Sequence, residues 1–88
     1  MLQLIHQTRF DKDMKKLLRG NRDPEKIKAV ITLLAQGKTL PAKNRNHKLG
    51  GEYEGCWECH VEPDWLLIDR KTSDSLILLR TGSHSNLF

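Results

Sequence analysis

The sequence has few of the features expected of a membrane-spanning, secreted or disulfide-stabilised protein. Its longest apolar runs are four residues, as at 65–68, whereas a membrane-spanning helix needs about 20. Two cysteines are too few for a disulfide framework. The N-terminal segment reaches Arg9 and Asp11 before an apolar secretory segment is complete. We therefore expect a cytoplasmic protein with no membrane partner.

Several common catalytic motifs are also missing. The sequence contains no glycine-rich phosphate loop, no G-x-S-x-G nucleophile motif and no H-E-x-x-H zinc motif. A chain of 88 residues allows one domain, which we place at 1–88, and its core is too small for a large internal cofactor. The expectation is a small enzyme or binding protein without a cofactor.

Charge is distributed unevenly along the chain. Residues 1–44 contain ten Lys or Arg against four Asp or Glu, whereas residues 45–88 contain five against seven. A basic half favours a polyanionic partner, because binding to phosphates releases counterions. Lysine-rich helices can equally be solvated faces. Charge alone therefore leaves nucleic-acid binding open.

Periodicity predicts an α+β fold in the order β-α-α-β-β-β. Apolar residues at helical spacing predict two helices, the first capped by Thr8 and the second beginning at Asp23-Pro24 and ending at Gly37. Four segments read as strands: 2–7, 53–61, 65–70 and 76–80. Residues 38–52 read as a basic loop. We expect a helical hairpin packed on one face of a small, mainly antiparallel sheet.

The segment Cys56-Trp57-Glu58-Cys59-His60 matches the C-x-x-C-H pattern of haem attachment. Residues three apart on a strand point to opposite faces of the sheet, so one porphyrin could not receive both thiols. The same geometry disfavours a redox pair. A zinc site using both cysteines, His60 and His84 remains open, although only one cysteine pair is present.

A second group of residues suits RNA cleavage. His47, His60 and His84 lie in the second half of the chain with Asp64 and Arg80. Two histidines can act as base and acid, and a carboxylate can fix the tautomer of one of them. Because RNA supplies its own 2′-hydroxyl nucleophile, such a site needs no nucleophilic side chain and no metal. Scattered surface histidines would give the same composition, so this chemistry is a hypothesis.

The expected roles can be assigned within this group. We expect His60, oriented by Asp64, to be the general base and His84 the general acid, with the reverse assignment also open. Arg80 would hold the scissile phosphate, and His47 would contact phosphate or share the proton transfers.

Aromatic and basic residues are the candidates for RNA binding. Trp65 and Phe88 would frame the nucleotide, although a Trp at the start of an apolar strand is as often a core residue. The loop cations Lys43, Arg45 and Lys48 would contact phosphates.

Three segments of the sequence resemble the YafQ-like branch of the RelE/ParE toxin superfamily. They read NHKLGGEYEG at 46–55, ECHVEPDWLLI at 58–68 and LRTGSHSNLF at 79–88. The helical half fits that family in order and size, so the resemblance covers essentially the whole chain. Two positions depart from the family pattern: Asn46 stands where many relatives have Asp, and Asp69 stands where the strand usually carries Tyr.

This resemblance implies a RelE-like fold and the toxin of a type II toxin–antitoxin pair. Such toxins cut mRNA in the ribosomal A site, beside ribosomal RNA, and leave a cyclic phosphate. It implies a cognate antitoxin partner and a hetero-oligomer with that antitoxin on operator DNA. The functional positions would fall on His47, His60, Asp64, His84 and Phe88, with Arg80 matching an arginine at the end of the last strand.

Two alternatives remain open from the sequence. One is a non-catalytic ParE-like toxin that acts by binding a partner such as a topoisomerase. The other is a metallohydrolase that uses the same histidines as ligands.

Overall fold

A five-stranded mixed sheet forms the centre of the computed structural model, which describes residues 1–88. The spatial order is β1-β5-β4-β3-β2, with β1 parallel to β5 and all other neighbours antiparallel. The strands are β1 (Gln3–His6), β2 (His47–Lys48), β3 (Trp57–Glu62), β4 (Trp65–Lys71) and β5 (Ser75–Gly82). The predicted α+β class and the mainly antiparallel sheet are confirmed.

Three α-helices accompany the sheet: α1 (Thr8–Arg19), α2 (Pro24–Ala35) and the single turn α3 (His84–Leu87). The start of α2 follows the expected chemistry, because the Asp23 carboxylate accepts a hydrogen bond from the Glu25 backbone N–H at 3.0 Å. The predicted Thr8 cap is wrong: Gln7 is the N-cap, without a side-chain hydrogen bond, and Thr8 is the first helical residue. None of these helices has the length and apolar composition needed to cross a bilayer.

The larger core lies between the sheet and the first two helices. Phe10 of α1 and Ile27 and Leu34 of α2 pack with buried residues of β3, β4 and β5 such as Leu67 and Leu78. Each fully buried side chain of this kind contributes about 1.5–3 kcal/mol relative to an exposed position. This face of the sheet is therefore the one that stabilises the domain.

A smaller core lies on the opposite face of the sheet. It consists of Cys56, Leu66, Ile68 and Leu87, with Leu87 contributed by α3. Burial of Leu87 anchors the end of the chain against β4. Side chains on this second face of the sheet can therefore contact residues of α3.

The structure contains short elements that were not predicted from the sequence. The predicted loop 38–52 contains β2 and two 3₁₀ turns, Ala42–Asn44 and Gly51–Tyr53. The third strand begins at Trp57 rather than at Tyr53. These short elements depend on pairing with β3 rather than on local propensity, since a two-residue strand has almost no periodicity of its own.

Asp69 is a buried carboxyl group on the helix-covered face of β4. It is 2% exposed, and its Oδ2 atom has no hydrogen-bond partner. Its register partners are Trp57 and Leu78, and it lines a cavity of about 550 Å³ near Leu34 and Lys71. Burial raises the pKa of Asp69 to about 6, opposed by the positive charge of Lys71.

We expect this carboxyl group to make stability depend on pH. The folded state holds the proton more tightly than the unfolded state, so stability is lost as pH rises from about 4 through about 6. A shift of this size corresponds to about 3 kcal/mol. Asp69→Asn should therefore raise the free energy of unfolding by up to that amount at pH 8 and change it little at pH 4, measured by urea denaturation. Glu52→Gln, the same change at an exposed carboxylate, should show no such pH dependence. Equal effects of Asp69→Asn at both pH values would contradict the assignment.

Candidate active site

Three of the site residues expected from the sequence converge at one end of the sheet face that lies opposite α1 and α2. His60 lies on β3, Asp64 lies in the turn between β3 and β4, and His84 is the first residue of α3. The His60 and His84 rings are 5.7 Å apart between centroids, at an interplanar angle of 62°. Two imidazoles and a carboxylate thus share one surface.

The turn from β5 into α3 is built by Gly82 and Asp64. Gly82 has φ of 153°, a conformation that glycine adopts without steric cost. The Asp64 carboxylate then accepts the His84 backbone N–H at 3.3 Å, and the same oxygen lies 3.2 Å from Nδ1 of the His84 ring. Both contacts hold the imidazole in place at the start of the short helix.

These contacts correct one expected pairing: Asp64 orients His84, not His60. The His84 backbone N–H and then its side chain lower the pKa of Asp64, which is itself solvent-exposed. His60 instead has Nδ1 at 3.3 Å from the Pro63 carbonyl oxygen. The two histidines are therefore held by different partners.

Glu58 is a site residue that sequence reasoning missed. Its side chain is 6% exposed, and Oε1 lies 3.5 Å from Nε2 of His47 and 3.8 Å from Nε2 of His60. The available signal was spacing, because Glu58 and His60 are two residues apart on a strand and so point to the same face. Glu58 is a buried carboxylate between two imidazoles.

Backbone carbonyls fix the tautomers of His47 and His60. Nδ1 of His47 lies 2.7 Å from the Arg45 carbonyl oxygen, and Nδ1 of His60 faces that of Pro63. A carbonyl only accepts hydrogen bonds, so Nδ1 carries the hydrogen in each ring. In both rings Nε2 is then the nitrogen directed toward Glu58.

The structure places Arg80 in an ion pair. Its Nε and Nη2 atoms donate to Asp13 of α1 at 2.7 and 3.2 Å, and this pairing raises the pKa of Arg80. Asp13 also accepts the Thr81 backbone N–H at 3.2 Å. The guanidinium therefore joins β5 to α1, and its Nη1 atom is the nitrogen that Asp13 does not engage.

The expected nucleotide contact of Trp65 is wrong in this structure. Trp65 has no exposed surface and belongs to the larger core, where its Nε1–H donates to Thr81 Oγ1 at 2.9 Å. Phe88, in contrast, is 63% exposed and lies edge-on to Tyr53 at 5.9 Å. Of the two aromatic candidates, only Phe88 is accessible to a ligand.

The three loop cations are all exposed, but they face different surroundings. Lys43 and Arg45 border the same groove as His60. Lys48 lies over the Trp57 ring, with Nζ 5.7 Å from its centroid. Of the three, Lys43 and Arg45 are therefore the ones that share a groove with His60.

The two cysteines lie in separate cores, which excludes a shared metal or disulfide. Cys59 packs in the larger core and Cys56 in the smaller one on the other face. Burial raises the pKa of Cys59 to about 12 and also raises the pKa of Cys56, so neither is an activated thiol.

A different set of residues has the geometry of a metal site. One ligand atom from each of Glu58, His60 and His84 can be chosen so that all lie within 4.8 Å of one another. Imidazole nitrogens and a carboxylate oxygen suit a transition metal such as copper or zinc.

Comparison with known proteins places the chain in a family. Residues 2–88 match the family model described as the bacterial toxin of type II toxin–antitoxin system, YafQ. The chain is 40% identical over 80 residues to the mRNA interferase toxin YafQ of Escherichia coli K12, which covers 90% of this chain and 87% of that protein. The chain belongs to the YafQ toxin family. The resemblance inferred from its motifs is thereby confirmed.

Solved structures of YafQ-family toxins share the fold over the full length. A copper-bound mutant toxin from Helicobacter pylori is 40% identical, with a TM-score of 0.96 and full coverage of both chains. YafQ in the E. coli DinJ–YafQ toxin–antitoxin complex is 36% identical, with a TM-score of 0.91, covering 99% of this chain and 97% of that one. Asp69, where the resemblance led us to expect tyrosine, lies on the helix-covered face of the sheet, away from the histidines.

The Asp64–His84 contact predicts a specific NMR titration. In the wild-type protein the Asp64 carboxyl group should titrate below its ordinary range. In His84→Ala its pKa should move only part of the way back, because the backbone N–H of residue 84 still donates. Carbon-detected NMR of the carboxyl signals measures both values. His47→Ala is the control, since His47 does not contact Asp64, and an equal shift in that variant would argue against the direct contact.

Proposed function

We propose that this YafQ-family toxin is a ribosome-dependent mRNA endoribonuclease that works without a metal ion. The observation that supports this most is the pairing of Asp64 with His84 beside His60 on one exposed face. Two imidazoles at this separation can reach opposite sides of one phosphodiester. The E. coli relative is named an mRNA interferase, which is the same class of reaction.

The proposed reaction uses the RNA's own 2′-hydroxyl group. His60 accepts the 2′-hydroxyl proton through Nε2, and the freed oxygen attacks the adjacent phosphorus. His84 donates a proton to the departing 5′-oxygen, so that the P–O5′ bond breaks. The products are a 2′,3′-cyclic phosphate and a 5′-hydroxyl group. Asp64 keeps His84 in position throughout.

Three further residues support these steps. The Glu58 carboxylate lies within ion-pair distance of Nε2 of both His47 and His60, so its negative charge stabilises either ring once that ring has taken up a proton. Arg80 contributes positive charge to the phosphate through Nη1 while Asp13 holds the rest of its guanidinium. Phe88 frames the nucleotide from the exposed end of α3.

A bound metal would compete with this chemistry. Glu58, His60 and His84 fit a transition-metal ion, and a relative from H. pylori has been crystallised with copper. Coordination would occupy the nitrogen atoms that transfer protons. We therefore propose that copper or zinc inhibits cleavage.

Replacing His84 tests the proposal. His84→Ala should reduce cleavage of a translated message by about 10²–10⁴-fold, because it removes one member of the acid–base pair. The measurement is primer extension on ribosome-bound mRNA, with growth arrest as a second readout. His6→Ala is the matched control, since His6 lies on β1 and contacts Asp11 outside the site.

The same assay separates the alternatives. With Mg²⁺ kept in excess for the ribosome, cleavage should persist in a chelator selective for zinc and copper and fall when copper or zinc is added, whereas a zinc- or copper-dependent hydrolase would stop in that chelator. An intact message together with blocked replication would favour a ParE-like binding toxin. Wild-type cleavage by His84→Ala would overturn the acid–base assignment.

We also propose that the basic helix α1 binds ribosomal RNA in the cytoplasm. Lys12, Lys15 and Lys16 are exposed and have no carboxylate within salt-bridge distance. A cognate antitoxin would neutralise the toxin and bind operator DNA with it, as the E. coli relative forms a complex with DinJ. An acidic antitoxin segment would suit the same basic surface.

Binding to ribosomes should weaken steeply with added salt. Each of Lys15→Gln and Lys16→Gln should lower the slope of log K against log salt concentration by about 1. Ribosome sedimentation across a salt series measures the slope. Lys28→Gln is the control, because Lys28 already pairs with Glu25 at 3.8 Å. A slope unchanged by the first two substitutions would argue against α1 as the contact.

A further inference from the structure

A groove runs along the edge of β3 that β2 leaves unpaired. We call it the α2–β3 groove. The groove lies between α2 on one side and the 3₁₀ turn at 42–44 on the other. The last residues of β3 and Pro63 border one end of it. Its volume is about 760 Å³, which lies within the 300–1,000 Å³ typical of small-ligand sites.

The groove is continuous with the candidate active site through His60. His60 forms part of its lining while its ring faces His84. The Asn44 side chain donates to the His60 carbonyl oxygen at 2.7 Å, so the far wall of the groove is fastened to the catalytic strand. A ligand in the groove would therefore lie at the same sheet edge as His60.

The chemistry of the groove combines an apolar floor with a cationic edge. Val30, Leu33 and Val61 form the floor, and Lys43 and Arg45 stand exposed at the edge without a carboxylate partner.

The one acidic group in the lining is already neutralised. Glu62 pairs with Arg22 at 3.4 Å and with Lys26 at 3.2 Å. An anionic ligand with one flat apolar part fits this combination, and repulsion from Glu62 does not oppose it.

We propose that the α2–β3 groove binds the unpaired base of the nucleotide next to the cleaved linkage, with its phosphate at Lys43 and Arg45. Single-stranded RNA is recognised through splayed bases placed on apolar or aromatic surfaces, with phosphates on nearby cations. Continuity with His60 favours RNA over an acidic peptide as the occupant. This inference rests on the proposed nuclease function and adds a second binding point for the substrate.

An RNA that cannot be cleaved tests the groove directly. The oligonucleotide carries 2′-deoxyribose at the cleaved position, so it lacks the nucleophile. We expect it to shift the methyl NMR signals of Val30, Leu33 and Val61 together with the His60 and His84 ring signals. The same oligonucleotide with an abasic neighbouring nucleotide should shift only the histidine signals.

Filling the groove tests its role in cleavage. Ala29 is exposed on α2 and lines the groove, so Ala29→Trp places a ring there without disturbing the core. Loss of one stacked base should reduce ribosomal cleavage by about tenfold. Thr32→Trp, on the same helix but outside the groove, should stay within about twofold of wild type.

The outcomes separate the groove from the nuclease proposal. Histidine shifts without methyl shifts, or full activity of Ala29→Trp, would overturn the groove assignment and leave the nuclease intact. Methyl shifts produced by an acidic antitoxin peptide and not by RNA would also overturn it. Undiminished cleavage by His84→Ala would instead show that the proposed acid–base function had failed.

Discussion

Alternation of side chains along β3 is the constraint on which the site depends. Successive residues of a strand point to opposite faces. Cys59 therefore enters the core beneath the helices, while Glu58 and His60 emerge together on the other face. A shift of one residue in the β3–β4 register would turn both polar groups toward the larger core and turn the apolar ones away from it. The packing that stabilises the domain is thus the same packing that places Glu58 and His60 on one face.

The site is completed by contacts between residues far apart in sequence. Asp64 meets His84 across 20 positions, and Arg80 meets Asp13 across 67. The first contact places an imidazole, and the second ties β5 to α1. Because the two cores already hold these elements together, the polar contacts orient groups and need not supply the stability of the fold.

Much of the fold could be predicted from the sequence because its signals are local. The apolar spacing of α1 and α2, the cap at Asp23 and the apolar runs of β4 and β5 identify those elements without tertiary information. The parallel pairing of β1 with β5 and the two-residue β2 could not be found in this way, since each exists only through a distant partner. Local patterns therefore identify the helices and strands more reliably than they identify which strands pair with one another.

The sequence predicts which residues form the candidate site better than it predicts which of them contact one another. His60, Asp64 and His84 do meet, but the carboxylate belongs to His84. Glu58 was overlooked because acidic residues are common and its burial is visible only in three dimensions. Trp65 illustrates the opposite case: its place in the core follows from tertiary packing, and the sequence alone left both readings open.

The parallel pairing of β1 with β5 has a consequence for biosynthesis. Gln3 aligns with Ser75, so β1 has no strand to pair with until β5 has been made. During translation the N-terminal strand and helices leave the exit tunnel with no sheet to join, and α3 follows every other element. A nascent toxin consequently lacks both its complete sheet and the His84 imidazole until β5 and α3 have been made.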